Sequence, residues 1–404
     1  MVFKRPGLAL FSFTFCFFIN SSGASLASNL KLSGLKLKEV PQIRVLIGSS
    51  VKEAKISGTD VAKRVGGQTK AKTFKGRKSF FFNCRPLKKQ KNLKNPLLLA
   101  SIDSATGLLG VNGQKYRGSL LLVAPKNPEG CDLVNSVSLE TYIGSVLAKE
   151  MSSDWPVEAL KAQAVAARSY AYYKIKTREV SRTKGYETYY DLENSERHQV
   201  NGDFFDVTVN TSKAQRLTSG EVLAYKKGAK PRIVPVFFHS KCGGRTKKPE
   251  EVWSNRVEGY ESVDCPFCHG HGTKNWKNQL SKKGFYSAVS KALSAHKGDS
   301  LQKGLSAFRV APDKSSRSYL RVYDDERAQI LKKSRIRTTL GRKYALSNNF
   351  SIKTTDKSVV LEGKGFGHGV GLCQFGAFEM AKRGYTYKEI LKRYFPAFVL
   401  EKIY

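Results

Sequence analysis

Acidic residues are scarce in this chain. Its 404 residues hold 33 Asp and Glu against 70 Lys and Arg, a formal net charge of +37. Such an excess favours a polyanionic partner and disfavours a basic one. Cysteine is limited to seven, so any disulfide or metal site must come from few positions. Beyond the first residues no apolar run approaches the length of a membrane span, which excludes a spanning helix in the body of the chain. No internal repeat and no coiled-coil heptad is present. The glycine-rich stretch near the C-terminus lacks the strand-to-helix context of a dinucleotide fingerprint. It also lacks the lysine and hydroxyl pair that closes a phosphate loop, so no organic cofactor is expected.

What is present begins with MVFKRPGLALFSFTFCFFINSSGASLAS. Lys4 and Arg5, an apolar run from Leu8 to Ile19, and small residues before a cut near Ala24 or Ala27 read as a secretory signal peptide over residues 1–27. Cys16 lies inside the apolar run and leaves with it. The mature chain is then exported to the periplasm or cell envelope, without a transmembrane segment. Export moves the expected polyanion away from nucleic acid and towards acidic envelope polymers. The alternative is that the charge serves solubility alone.

Residues 28–39 read as a basic approach segment. Residues 40–136 read as a strand-rich part: a strand at Ile43–Ile47, short strands and exposed turns over Lys52–Lys94, and strands in LLLASI, GLLGVNG and KYRGSLLLVAP, with Asn112-Gly113 as a hairpin turn. Residues 137–404 read as the core, with a weak strand at Val207–Val209 and a longer one at Ile233–Phe238. A helix is expected from Lys282 to Leu305, and RSYLRVYDDERAQI reads as a strand followed by a turn or helix. A hairpin then leads into the glycine loop, and two C-terminal helices are expected at Cys373–Lys382 and Tyr387–Tyr394. The class is α+β, with antiparallel strands around a central helical hairpin.

That hairpin runs from Ser138 to Arg178. Leu139, Tyr142, Ile143, Val146 and Leu147 draw an apolar stripe, and Ser138 can cap its helix. Glu150 ends the stripe where an aliphatic residue would be expected. Partial burial there would suit a general acid; the alternative is a solvated helix end, or a pair with Lys161 or Arg168. A second helix restarts at Asp154-Trp155-Pro156 and is rich in alanine, which permits close packing. GKGFGHGVGLCQFGA sets five glycines around His368, and His368 and Gln374 read as polar groups lining a cleft near Glu150. The alternative is a tight turn only.

His239-x2-Cys242 and Cys265-x2-Cys268 form two knuckle-like pairs. Three thiolates and an imidazole suit a closed, structural zinc site, with His269 and His271 as reserves for His239. A redox disulfide between Cys265 and Cys268 is the alternative, and Cys84 with Cys131 could form a structural one.

Three long runs, VNSVSLETYIGSVLAKEMSSDWPVEALKAQAVAARSYAYY, VFFHSKCGGRTKKPEEVW and GKGFGHGVGLCQFGAFEMAKRGYTYKEILKRYFP, resemble the SpoIID family of peptidoglycan-acting proteins over about residues 40–404. The resemblance implies a lytic transglycosylase acting on glycan strands stripped of their stem peptides, although some relatives are enhancers of a partner N-acetylmuramoyl-L-alanine amidase. It places the catalytic glutamate at Glu150 and substrate or pair contacts at Lys161 and Arg168. It also agrees with a metal at His239–Cys242. One carboxyl group suffices for this reaction. It protonates the oxygen between N-acetylmuramic acid (MurNAc) and N-acetylglucosamine (GlcNAc), then takes the C6 hydroxyl proton as that oxygen closes on C1 to give a 1,6-anhydro end.

Overall fold

Ile43 and Val45 are buried while Arg44 and Leu46 are only half covered, a two-residue period that makes Gln42–Val51 a strand, β1. The computed structural model describes residues 39–404 apart from 67, 86–94, 127, 184–187, 196–198, 200–201, 229, 271–274, 298–308, 313–316 and 325–326. The signal peptide, nearly all of the approach segment and His271 therefore lie outside the described residues.

Seven strands follow β1: β2 (Glu53–Val65), β3 (Lys72–Asn83), β4 (Leu97–Ser104), β5 (Leu108–Val111), β6 (Gln114–Arg117), β7 (Ser119–Ala124) and β8 (Cys131–Ser138). With β9 (Leu192–Glu193) they form one sheet in the order β6-β5-β2-β4-β7-β8-β1-β9, with β3 paired to β2. Only the β1–β9 pairing is parallel among these. The turn at Asn112 (φ 49°) and Gly113 (φ 94°) joins β5 to β6 as expected. The short strands expected over Lys52–Lys94 are instead two long ones. A bulge between Thr59 and Val61, with Asp60 at φ 47°, bends β2 so that its first half meets β5 and its second half meets β4. A disulfide joins Cys84 to Cys131 inside the sheet's core.

Two helices follow β8 directly. In α1 (Leu139–Glu150) Ser138 Oγ accepts from the Thr141 amide at 3.2 Å, and the whole apolar stripe is buried. A corner at residues 151–156 leads into α2 (Val157–Thr183). Where a weak strand was expected, Thr208 caps a helix, α3 (Val209–Leu217), through a reciprocal bond with Thr211. Next come β10 (Glu221–Tyr225), β11 (Phe238–His239) and α4 (Pro249–Val252). The strand expected at Ile233–Phe238 shrinks to β11. Pro231 and Pro235 donate no ladder hydrogen bonds, and Tyr260 Oη satisfies this stretch by accepting from Phe237 N and donating to Pro235 O, each at 2.8 Å.

A unit with its own core then intervenes: β12 (Asn275–Ser281), α5 (Lys282–Lys297), β13 (Arg309–Pro312), β14 (Tyr319–Asp324), β15 (Arg327–Lys332), α6 (Lys333–Leu340), β16 (Phe350–Thr354) and β17 (Ser358–Lys364). Its centre is Trp276, Phe285, Val289, Leu320, Ile336 and Leu361. RSYLRVYDDERAQI forms the hairpin β14–β15: the second arm is a strand because it pairs antiparallel with the first, Leu331 opposite Leu320, although Ala328, Gln329 and Ile330 are all exposed. The chain closes with β18 (Leu372–Cys373), α7 (Gln374–Lys382), α8 (Tyr387–Tyr394) and β19 (Phe398–Lys402), which pairs with β10. Gly384 (φ 86°) follows α7, and Thr386 caps α8, as the sequence implies.

One ion pair knits these layers. Arg168 is 0% exposed, and its Nε and Nη2 grip Glu140 at 2.6 and 2.9 Å. Glu140 also accepts from Gln215, from Gly220 N at 3.2 Å and from the C-terminal Tyr404 hydroxyl. Lys161 pairs with Glu158 at 2.7 Å and lies over the Tyr387 ring. Both basic side chains expected at a sugar or at Glu150 thus join helices together, since α3, β10 and α8 cover their face of α2.

Arg168→Ala should therefore cost about 3–5 kcal/mol of stability, because it leaves a buried carboxylate without its partner. Denaturant titration checks this; a stable variant with raised KM alone would return Arg168 to substrate binding. Burial by itself would raise the Glu140 pKa, but the bonds and charge of Arg168, with Tyr404 and Gln215, hold it below its ordinary 4.5. The pair's contribution is full above that value and is lost as pH falls through the lowered one. Glu140→Gln should flatten the acid limb of the stability–pH curve.

Candidate active site and metal centre

The corner between α1 and α2 packs on α7 through Trp155, whose ring lies 4.9 Å from Phe375 and 4.8 Å from Phe378. That contact brings the last residue of α1 to the first residue of α7. Gln374 Nε2 donates to Glu150 Oε2 at 3.4 Å. Glu150 is half-buried and lines a cleft of about 260 Å³ together with Tyr170, Phe237, His239, Ser240, His368, Arg337, Arg342 and Gln374. Among the described residues lining this cleft, Glu150 is the sole carboxylate.

The two imidazoles take their tautomers from one backbone unit. His239 Nδ1 lies 3.0 Å from Val370 O, so it carries a proton and donates. Val370 N donates to His368 Nδ1 at 3.1 Å, which leaves the proton of a neutral His368 on Nε2. Burial pushes His239 down to about 4, and burial together with neighbouring His239 holds His368 well below its ordinary value. Both rings are neutral at pH 7. His239 Nε2 is buried with no hydrogen-bond partner among the described residues, an acceptor held ready beside the cleft. Phe237 and Trp253, 4.6 Å apart, add apolar faces on the His368 side.

Behind the cleft, the sulfurs of Cys242, Cys265, Cys268 and Cys373 lie within 4.8 Å of one another, all buried. Cys242 and Cys268 Sγ are 3.4 Å apart, and Cys265 Sγ is 3.0 Å from Tyr394 Oη. Four thiols so close cannot all ionise unaided. Hydrogen bonding from Cys242 pulls Cys268 down, while burial pushes Cys373 up. A divalent cation would resolve the conflict, and a closed four-sulfur set fits zinc. Cys373, not His239, completes the candidate donor set. Parallel pairing of β11 with β18 sets His239 opposite Cys373, so the sulfur joins the cluster while the imidazole faces the cleft.

A family model described as stage II sporulation protein (SpoIID) matches residues 127–225, and one described as a domain of unknown function (DUF8618) matches residues 269–371. An uncharacterized protein of Brachyspira hyodysenteriae is 34% identical over 285 residues, covering 70% of this chain and 72% of that protein. The chain belongs to the SpoIID family. The amidase enhancer of Bacillus subtilis is 25% identical over 342 residues, 74% of this chain, which spans 45% of that protein's length. Stage II sporulation protein D of Bacillus amyloliquefaciens is 26% identical over 271 residues, 65% of this chain and 74% of that one.

In this SpoIID-family chain the second matched domain lies between Cys268 and Cys373, so the cysteine cluster clamps the intervening unit at both of its ends. Sequence reasoning missed both arginines of the cleft, Arg337 and Arg342, and Trp253, which follows the four-residue helix α4 and packs against His368. It also missed Cys373, which has no sequence-near cysteine to pair with in a spacing motif; adjacency to the glycine loop was the available signal.

Cys373→Ser should lose most of the bound metal, whereas His239→Gln should keep it. Elemental analysis of protein purified without chelator checks both, with about one zinc per chain expected for a closed four-sulfur site. Loss from His239→Gln with retention in Cys373→Ser would restore the imidazole as a ligand.

Proposed function

We propose that this SpoIID-family chain is an exported lytic transglycosylase that cleaves the MurNAc–GlcNAc linkage of peptidoglycan glycan strands. The observation that carries this reading is that Glu150 is the sole carboxylate among the described residues lining the cleft. Hydrolytic glycosidases use two carboxyl groups flanking the bond. A lytic transglycosylase needs one, because the C6 hydroxyl of the sugar replaces the attacking water. Glu150 gives its proton to the leaving glycosidic oxygen and recovers one from that hydroxyl. Gln374 holds one carboxylate oxygen and so fixes the orientation of the group. His239, with its bare Nε2, offers an acceptor to sugar hydroxyl or acetamido groups, while His368 is held by backbone bonds to Val370 and Phe238.

The cysteine cluster belongs to the scaffold in this reading. Bound zinc would supply a fixed crosslink between the stretches that carry His239, Gln374 and the intervening unit. The expected signal peptide and the Cys84–Cys131 disulfide both agree with an oxidising, extracytoplasmic setting. The name of the amidase enhancer relative supports a second reading, in which the chain assists an amidase at the wall without cutting glycan.

Purified protein digested with peptide-free glycan strands should yield 1,6-anhydroMurNAc ends by mass spectrometry. Glu150→Gln should reduce them by about 100-fold or more, the weight of a general acid. Absence of anhydro ends from the unsubstituted protein, with faster release of peptides when an amidase is added, would favour the enhancer reading.

A further inference from the structure

A second cavity, of about 280 Å³, lies against the face of α1 that carries Glu140 and Gly144, and among the described residues it shares no lining with the Glu150 cleft. Gly144 is buried in the middle of α1, yet a Cβ placed there would meet nothing within 4 Å. Alanine would fit that space and favour the helix, so the glycine keeps open room that packing does not demand. A single helical turn, Phe204–Asp206, brings Phe204 to the cavity. The turn is pinned in place: Asp203 Oδ2 accepts from Lys115 N at 2.7 Å, Asp206 pairs with Lys149 at 2.8 Å, and the Arg117 guanidinium lies 4.2 Å from the Phe204 ring centre. The lining offers two kinds of unused group. Among the described residues the side chains of Lys115 and Arg117 have no hydrogen-bond or ion-pair partner, while the charge of Glu140 is already matched by Arg168. Asn135 Nδ2 donates to Arg117 O and Ser119 O at 2.8 and 3.2 Å, and Gln215 Nε2 donates to Glu140. The amide oxygens of Asn135 and Gln215 are left as acceptors without a donor among the described residues.

We infer that this cavity binds a short acidic peptide, with a carboxylate on Arg117 and Lys115 and peptide N–H groups on the amide oxygens of Asn135 and Gln215. The ligand must bring both a negative charge and hydrogen-bond donors. A phosphate ester satisfies the cations but has no donor for the two amide oxygens. A neutral sugar has hydroxyl donors but no charge for the guanidinium. A peptide with a free carboxylate supplies both, and the planar guanidinium fork matches that carboxylate with two parallel hydrogen bonds. The volume sits at the lower edge of small-ligand cavities, which suits a dipeptide-sized segment rather than a folded partner. The stem peptides of peptidoglycan are acidic peptides of this class. Because the two cavities have separate linings, a peptide here is held independently of whatever occupies the Glu150 cleft. The chain then has a contact with the wall that does not pass through glycan.

The test uses the full metal-loaded chain and the dipeptide N-acetyl-L-Ala-D-Glu, with both carboxylates free in one portion and both converted to amides in another. Calorimetry should show the acid form binding about tenfold more tightly, the weight of one charge-assisted contact. Arg117→Gln, at an exposed position that should leave the fold intact, should erase most of that preference without weakening the diamide. Gly144→Leu should weaken both forms by about tenfold or more, because its side chain takes the ligand's space. Arg117→Gln carries the test alone if Gly144→Leu does not fold. Equal affinity for acid and diamide, a preference unmoved by Arg117→Gln, full affinity in a folded Gly144→Leu protein, or no binding of either form would overturn the inference. So would tighter binding of a peptide-free GlcNAc–MurNAc disaccharide that Arg117→Gln abolishes, which would make the cavity a saccharide site. The measurement involves no turnover, so a failure to find anhydro ends removes the enzyme and leaves this site standing.

Discussion

Four sulfurs meet behind the cleft, where three stretches of chain come to one point. Cys242 follows β11, Cys265 and Cys268 stand at the entrance to the intervening unit, and Cys373 stands at its exit. The two-residue parallel pairing of β11 with β18 could not bear this load alone, since so short a ladder contributes few hydrogen bonds. From that anchor everything polar in the cleft is measured: His239 opposite Cys373, Gln374 one residue beyond it, and His368 fixed through Val370. The intervening unit is likewise held at its base, which limits where α6 can carry its arginines.

Helix α1 places two glutamates in opposite circumstances. Glu140, in the first turn, is engaged by a buried arginine, an amide side chain, a backbone N–H and the last hydroxyl of the chain, so its charge is spent on architecture. Glu150, at the last turn, meets an amide donor at the edge of a cleft that imidazoles, aromatic faces and two arginines line. Sequence type alone does not separate these roles. The environment does: one carboxylate is enclosed among structural donors, and the other stands at the edge of a cleft.

Local signals were legible in the sequence wherever neighbouring residues dictated the outcome. Ser138 and Thr386 as caps, the Asn112-Gly113 turn, the apolar stripe of α1 and the glycines around His368 all act within a few residues of themselves. What escaped depends on distant pairing. The length of β2 follows from a bulge that lets one strand serve two partners, and the second arm of the β14–β15 hairpin acquires its state from the first. Cys373 became a candidate ligand because a strand far earlier in the chain lies beside it. Lys161 and Arg168 looked like site residues because a helical face two turns long was judged without knowing what covered it. Arg337 and Arg342 show the reverse: one in the last turn of α6 and one just past its end, both brought to the cleft by the fold.

The most direct measurement is a crystal structure of the Glu150→Gln protein with a peptide-free GlcNAc–MurNAc tetrasaccharide. The account predicts a glycosidic oxygen within hydrogen-bonding distance of the side chain at position 150, with the sugar ring against His368. A saccharide seated elsewhere, such as the cavity of about 280 Å³ lined by Lys115, Arg117 and Phe204 on the other part of α1, with the Glu150 cleft empty, would contradict it.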